Sequence, residues 1–166
     1  MALFKSKIKF QNFQLHSECQ LVSALNASYF LGRKFIPPSS AEYDMLLKLT
    51  CGQHGSCIQI EKAYAYLNIQ FVDVKAEWRS IEFADSLGLP IGISLNTERG
   101  FHNVVIVGVD CDSEGYLLKI PNIKFYTKDM WIKWTELEPL ITDLPNLGPQ
   151  YGFFRLFHKH RFTLRP

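Results

Sequence analysis

Cys19 and His102 are the two side chains of this 166-residue chain whose types and settings best suit covalent chemistry. Ser17-Glu18-Cys19-Gln20 reads as a capping box, with Ser17 as N-cap and Gln20 reaching back from three residues on. Cys19 is then the second helical residue, and its sulfur lies beside unpaired backbone N–H groups at the positive end of the helix dipole. That setting favours thiolate, the nucleophilic form of cysteine. Glu18 opposes it as a neighbouring negative charge unless its carboxylate turns to solvent. A buried, inert thiol is the competing reading, because cysteine is among the residues most often buried.

A cysteine nucleophile needs a base. His102 sits at the mouth of the apolar run His102–Val109, straight after Gly100-Phe101, where a sheet can hold an imidazole rigidly beside a cleft. A strand-end histidine packed without a catalytic role is the alternative. His16 is too close in sequence to Cys19 for good geometry, His54 is in a polar loop, and His158 and His160 flank a lysine on what reads as a solvated face. Asp110 is the obvious carboxylate to orient His102, but eight residues of strand at about 3.3 Å each put it at the far end. Asn122 returns toward His102 if the chain folds back around Ser113. It shares the His102 face when opposed residue numbers sum to an even value, as a three-residue loop would give. Its side-chain amide would then accept from the ring N–H and fix the tautomer. Gln14, just before the cysteine helix, could donate its amide to an oxyanion alongside the N–H of Cys19. Surface hydrogen bonding is its plainer role.

These groups need elements to hold them. Ile8, Phe10 and Phe13 fit a short strand or extended lead-in. Leu21, Leu25 and Ser28 share a helical face, Gly32 is placed to end the helix left-handed, and Ser23, Ala24, Ala27 and Ser28 keep it slim enough for a central position. A second helix starts at Ser39 or Ser40, with Glu42 completing a capping pattern; it buries Tyr43, Leu46 and Leu47 and ends before Cys51-Gly52. A third runs from about Ser56 to Leu67, and a short fourth covers Arg79 to Leu87. Beyond Pro90 the patterns are strand-like: Pro90 to Leu95, a turn, His102 to Val109 as one strand buried on both faces, a turn at Asp112 to Gly115, Tyr116 to Ile120 returning, and Tyr151 to Phe157. Trp131 to Leu137 is ambiguous. Helices first and a sheet later predict an α+β fold: one domain over 1–166, with a helical lobe over about 15–88 and an antiparallel β lobe over about 89–166.

Composition narrows the function. A 47% hydrophobic, 20% charged chain with thirteen Phe is a globular one, not a disordered one. Eighteen basic against sixteen acidic residues leave a charge of +2, too balanced to make nucleic acid or an anionic membrane the expected partner. No apolar run approaches the roughly 20 residues that span a bilayer, and Met1 to Lys7 has no apolar core for a secretion signal, so a cytoplasmic protein is expected. Cys19, Cys51, Cys57 and Cys111 are too irregular for a disulfide scaffold. Cys51 and Cys57, with His54 between them, are too widely spaced for a zinc turn and have no second pair, so neither metal nor cofactor is expected.

The constellation resembles the papain-like cysteine peptidases, and in particular the branch of bacterial enzymes that process double-glycine leader peptides. The resemblance rests on Gln14, on Cys19 opening a slim helix that ends at Gly32, and on Gly-Phe-His-Asn-Val-Val-Ile-Val-Gly-Val-Asp from Gly100 to Asp110. Leu89-Pro90-Ile91-Gly92 and Tyr116 to Asn122 match the preceding and returning strands, and Gly55 to Ile69 the middle helix. It covers roughly Gln14 to Asn122. The chain departs from the pattern at Gln20, where Gly usually follows the cysteine, in a Gln14 to Cys19 gap one residue short, and in Asn122 following Pro121 where the branch places Asp before Pro.

The resemblance implies Gln14 for the oxyanion, Cys19 as nucleophile, His102 as general base then acid, and Asn122 as orienter. The implied activity is a thiol hydrolase acting on a peptide or isopeptide bond of a peptide or protein substrate. A deamidase or transamidase would use the same machinery. A catalytically inactive binding or effector module on the same scaffold is the reading from another class. A cell-wall endopeptidase of the NlpC type shares the Cys-then-His order but would need an export signal. Trp131 and Trp134 are most simply packing residues, with a shielding role for Trp131 as the alternative.

Overall fold

The structure, a computed structural model, describes residues 18–38, 40–51, 59–97, 100–123, 131–141 and 154–159. Helix α1, Cys19–Phe30, buries every residue from Leu21 to Ser28, so it has no solvent face. Its small residues allow neighbours to approach on all sides. It ends in a Schellman motif: Gly32 has φ 93°, the Gly32 N–H donates to the Tyr29 carbonyl and the Arg33 N–H to the Ser28 carbonyl. The other end departs from expectation. Glu18, not Ser17, holds the N-cap position, with no side-chain capping bond of its own, and Cys19 is the first helical residue, not the second. Ser17 itself lies outside the described residues.

Helix α2, Ala41–Cys51, is capped by Ser40, whose Oγ accepts from the Tyr43 N–H at 3.1 Å. Glu42 does not reach back to the cap. It pairs with Lys34 at 2.9 Å and accepts from the Tyr66 hydroxyl. Helix α3 runs Ile60–Leu67 and is closed by Asn68 in the left-handed region. Strand β1, Ile69–Val74, follows directly, then helix α4, Trp78–Leu87, closed by Gly88.

β1 corrects the expectation that the chain is helical up to Leu87. Ile69-Gln-Phe-Val-Asp-Val is a β-branched and aromatic run, but it buries its residues poorly and follows a helix after a single residue, which masks its alternation. The remaining strands are β2, Ile91–Thr97; β3, Gly100–Ile106; β4, Gly108–Asp112; β5, Gly115–Lys119; β6, Trp131–Lys133; and β7, Phe154–Lys159. The ambiguous Trp131 to Leu137 splits between β6 and a one-turn helix α5, Trp134–Leu137.

Two antiparallel sheets result where one was expected: a four-stranded sheet ordered β1-β7-β2-β3 and a three-stranded sheet ordered β4-β5-β6. The predicted eight-residue strand breaks at Val107, and its halves join different sheets. Val105 and Val107 belong to the core shared with α1, α2 and α3, whereas Val109 packs against the second core. Alternation would keep these odd-numbered residues on one face, so the strand rotates about Gly108.

The four-stranded sheet lies between two cores. On one side Val105 and Phe157 meet Leu21, Leu25, Leu46 and Ala63 of the helices. On the other, Ile91, Ile93, Leu95, Val104 and Ile106 meet Ile81 and Ala84 of α4 and Leu118 of β5. The fold is α+β. No helix among the described residues is long and apolar enough to cross a membrane.

Candidate active site

β3 is the last strand of its sheet, so among the described residues no strand pairs its outer edge. The first turn of α1 comes up to that edge. Ser23 Oγ donates to the Asn103 carbonyl at 2.8 Å. The Asn103 N–H faces the Cys19 sulfur and favours its thiolate. Cys19 and Ser23 are one helical turn apart and share a face, so one stripe of α1 engages both main-chain groups of the same residue. The sulfur therefore lies against the peptide bond that joins His102 to Asn103.

The main-chain N–H groups of Asn103, Gln20 and Cys19 itself act on the sulfur to favour its thiolate. Burial opposes them and is the larger effect, so the Cys19 thiol is pushed above its ordinary value. This corrects the expectation of a spontaneously ionised thiol: the helix terminus supplies its N–H groups, but the site is too desolvated for them to prevail. Glu18 does not turn to solvent. Its carboxyl is buried and faces the Tyr43 hydroxyl on α2, where burial and the carboxylate together hold the phenol protonated well beyond its usual range.

His102 is half-buried on β3, opposite Leu95 in the register with β2. It stands on the face of Val104 and Ile106, toward the second core, whereas α1 packs with Val105 on the other face. Its ring Nε2 is 2.7 Å from the main-chain carbonyl oxygen of Asn122. A carbonyl only accepts, so Nε2 carries the proton and Nδ1 of the neutral ring keeps a lone pair. Burial lowers the imidazole pKa, an effect partly offset by the bond to Asn122, so the neutral ring dominates at pH 7.

Asn122 thus meets His102, but through its backbone and not its side-chain amide. The β4–β5 pairs, such as Gly108 with Lys119, have an odd register around the two-residue turn Ser113-Glu114. By simple pairing that register sends Asn122 to the wrong face. The contact forms because β3 and β4 are not one strand, and because Asn122 lies beyond β5 in a turn with φ 65°. Asp110 is paired with Leu117 on the other sheet and accepts from the Cys111 N–H.

No hydrogen bond joins the Cys19 sulfur to the His102 ring; the sulfur rests on the neighbouring peptide instead. Gln14, His16, His54, Cys57 and His160 lie outside the described residues. Among the described residues no group of three His, Cys, Asp or Glu side chains is placed to hold a metal ion. Ser23 and Asn103 were not legible as site residues. The four-residue spacing of Cys19 and Ser23 was a usable signal; nothing local pointed to Asn103. Compared with protein-family models and with curated proteins, the chain matches none.

Proposed function

We propose that the chain is a thiol hydrolase on a papain-like α+β fold, cleaving a peptide or isopeptide bond of a peptide or protein substrate. Cys19 is the nucleophile, His102 the base and then the acid, and Asn122 the orienter through its main-chain carbonyl. The observation that carries the reading is the 2.7 Å bond from His102 Nε2 to the Asn122 carbonyl, which leaves Nδ1 as the basic nitrogen of a residue next in sequence to Asn103. The raised thiol and the neutral imidazole fit proton transfer coupled to attack, with no resting ion pair.

In this reading the sulfur leaves the Asn103 N–H and turns toward the ring. Nδ1 takes the thiol proton as sulfur bonds to the substrate carbonyl carbon and the C=O π pair moves onto oxygen. The oxyanion collapses, the C–N bond breaks, and Nδ1–H protonates the departing amine. Water then gives a proton to Nδ1 and attacks the thioester, releasing the carboxylic acid as sulfur recovers its proton. A deamidase or transamidase differs only in leaving group or acceptor. Gln14 as oxyanion donor rests on the family resemblance.

A catalytically silent binding module on the same scaffold is the second reading, favoured by the raised thiol and the missing sulfur–imidazole bond. Incubating the full chain with an activated ester and reading Cys19 by mass spectrometry separates the two. The enzyme reading expects an acyl adduct on Cys19 that forms about 100-fold more slowly in His102→Ala. No adduct, or one formed equally fast in His102→Ala, overturns it in favour of the binding module.

A further inference from the structure

We infer that Ser23 is a positioning residue, holding the Asn103 backbone by its carbonyl so that the N–H of the same residue faces the Cys19 sulfur. The inference deepens the reading of Cys19 as a nucleophile, and its test reads thiol chemistry alone. Ser23 is 2% exposed, so water does not compete for its hydroxyl, and its bond to the Asn103 carbonyl spans 80 residues of sequence. Asn103 is anchored again on the inner side, where its side-chain Nδ2 approaches Ser94 Oγ at 3.4 Å; Ser94 is its β2 partner and is 3% exposed. In an extended strand the N–H and C=O of one residue project to the same side, so anchoring the Asn103 carbonyl to α1 keeps its N–H turned to α1 as long as β3 stays extended. Without the hydroxyl, the Asn103 carbonyl would lose its partner on α1. The clamp thus transmits the position of α1 to the one N–H supplied to the sulfur from outside its own helix.

Charged and titratable groups around the sulfur do not duplicate this effect. Glu18 is turned to Tyr43 on α2, and His102 stands on the other face of β3 with its Nε2 committed to Asn122.

The test is the pH profile of Cys19 carboxymethylation by iodoacetamide in the full chain, read by peptide mass spectrometry. Ser23→Ala is expected to lower the Cys19 rate at fixed pH about fivefold by moving the profile to higher pH, and Ser23→Thr, which keeps the hydroxyl, to restore it. Ser28→Ala, on the same buried helix, is expected to leave the profile unchanged. Asn103→Pro, which deletes the donor N–H and is tolerated on an edge strand, should match Ser23→Ala, while Asn103→Ala, which loses the side-chain amide but keeps the N–H, should not. Hydrogen exchange in the unmutated protein needs no variant to fold: the Asn103 amide should be protected despite its place on a strand edge. A wild-type profile in Ser23→Ala or in Asn103→Pro, or rapid exchange at Asn103, overturns the clamp. Failure of the ester test above with these shifts intact would overturn the hydrolase alone.

Discussion

The imidazole of His102 is held by the backbone of Asn122, not by its side chain: ring Nε2 donates to the main-chain carbonyl at 2.7 Å, from a residue whose φ is 65°. A carbonyl survives any substitution that preserves the turn. The residue type at 122 matters chiefly because Asn tolerates the left-handed region better than most residues do.

Asn122→Gly should therefore keep the His102 bond, whereas Asn122→Val should lose it and cost about 1–2 kcal/mol through backbone strain. Imidazole nitrogen chemical shifts report the tautomer directly. A Gly variant in which Nε2 is no longer the protonated nitrogen would return the orienting role to the side chain.

Stability should depend on His102 below neutrality. Burial lowers its folded-state pKa beneath the ordinary 6.5, so between the two values the unfolded chain binds more protons than the folded one. The contribution is complete above about pH 6.5 and is lost as pH falls through the folded value. Melting temperatures from about pH 4.5 to 7.5 should fall less steeply toward acid in His102→Gln than in the parent chain. Parallel curves would contradict the assignment.

The thiol of Cys19 has the opposite sign. Its folded-state pKa is raised above 9.0, so neutral thiol is favoured in the fold and stability declines as pH rises through the alkaline range. In the substrate-free chain Cys19 should react with iodoacetamide more slowly at pH 7 than Cys111, which is exposed. Faster labelling at Cys19 would mean that the N–H groups outweigh burial after all.

Gly92 is a packing requirement at the centre of the first sheet. A Cβ there would lie 2.8 Å from the Phe157 ring, which is 2% exposed and locked edge-on against Tyr64 and Phe71. Gly92→Ala should destabilise the chain by about 1–3 kcal/mol in urea unfolding. An unchanged midpoint would show that this aromatic group can yield.

Much of the helical half was legible because its signals are local. Gly32 closing α1, the run of small residues in that helix, Ser40 as a cap and the extent of α4 follow from side-chain size and backbone freedom within a few residues. Glu18 shows where local reasoning stops. Whether its carboxylate met solvent or the interior was open from the sequence, and it is buried facing Tyr43, twenty-five positions away. β1 stayed hidden for a related reason: its partner is β7, at the other end of the chain.

The α+β class, Cys19 at the head of a slim buried helix and the fold-back of the chain around Ser113 follow from local pattern, whereas the face on which Asn122 lands does not. Long-range packing makes the apolar run turn between two sheets at Val107, brings the Asn122 carbonyl to His102, and joins Ser23 of α1 to Asn103 of β3. It also decides the sign of the Cys19 shift. Local sequence specifies which N–H groups a helix offers, but desolvation depends on everything packed around the sulfur, and that is settled by residues far apart in the chain.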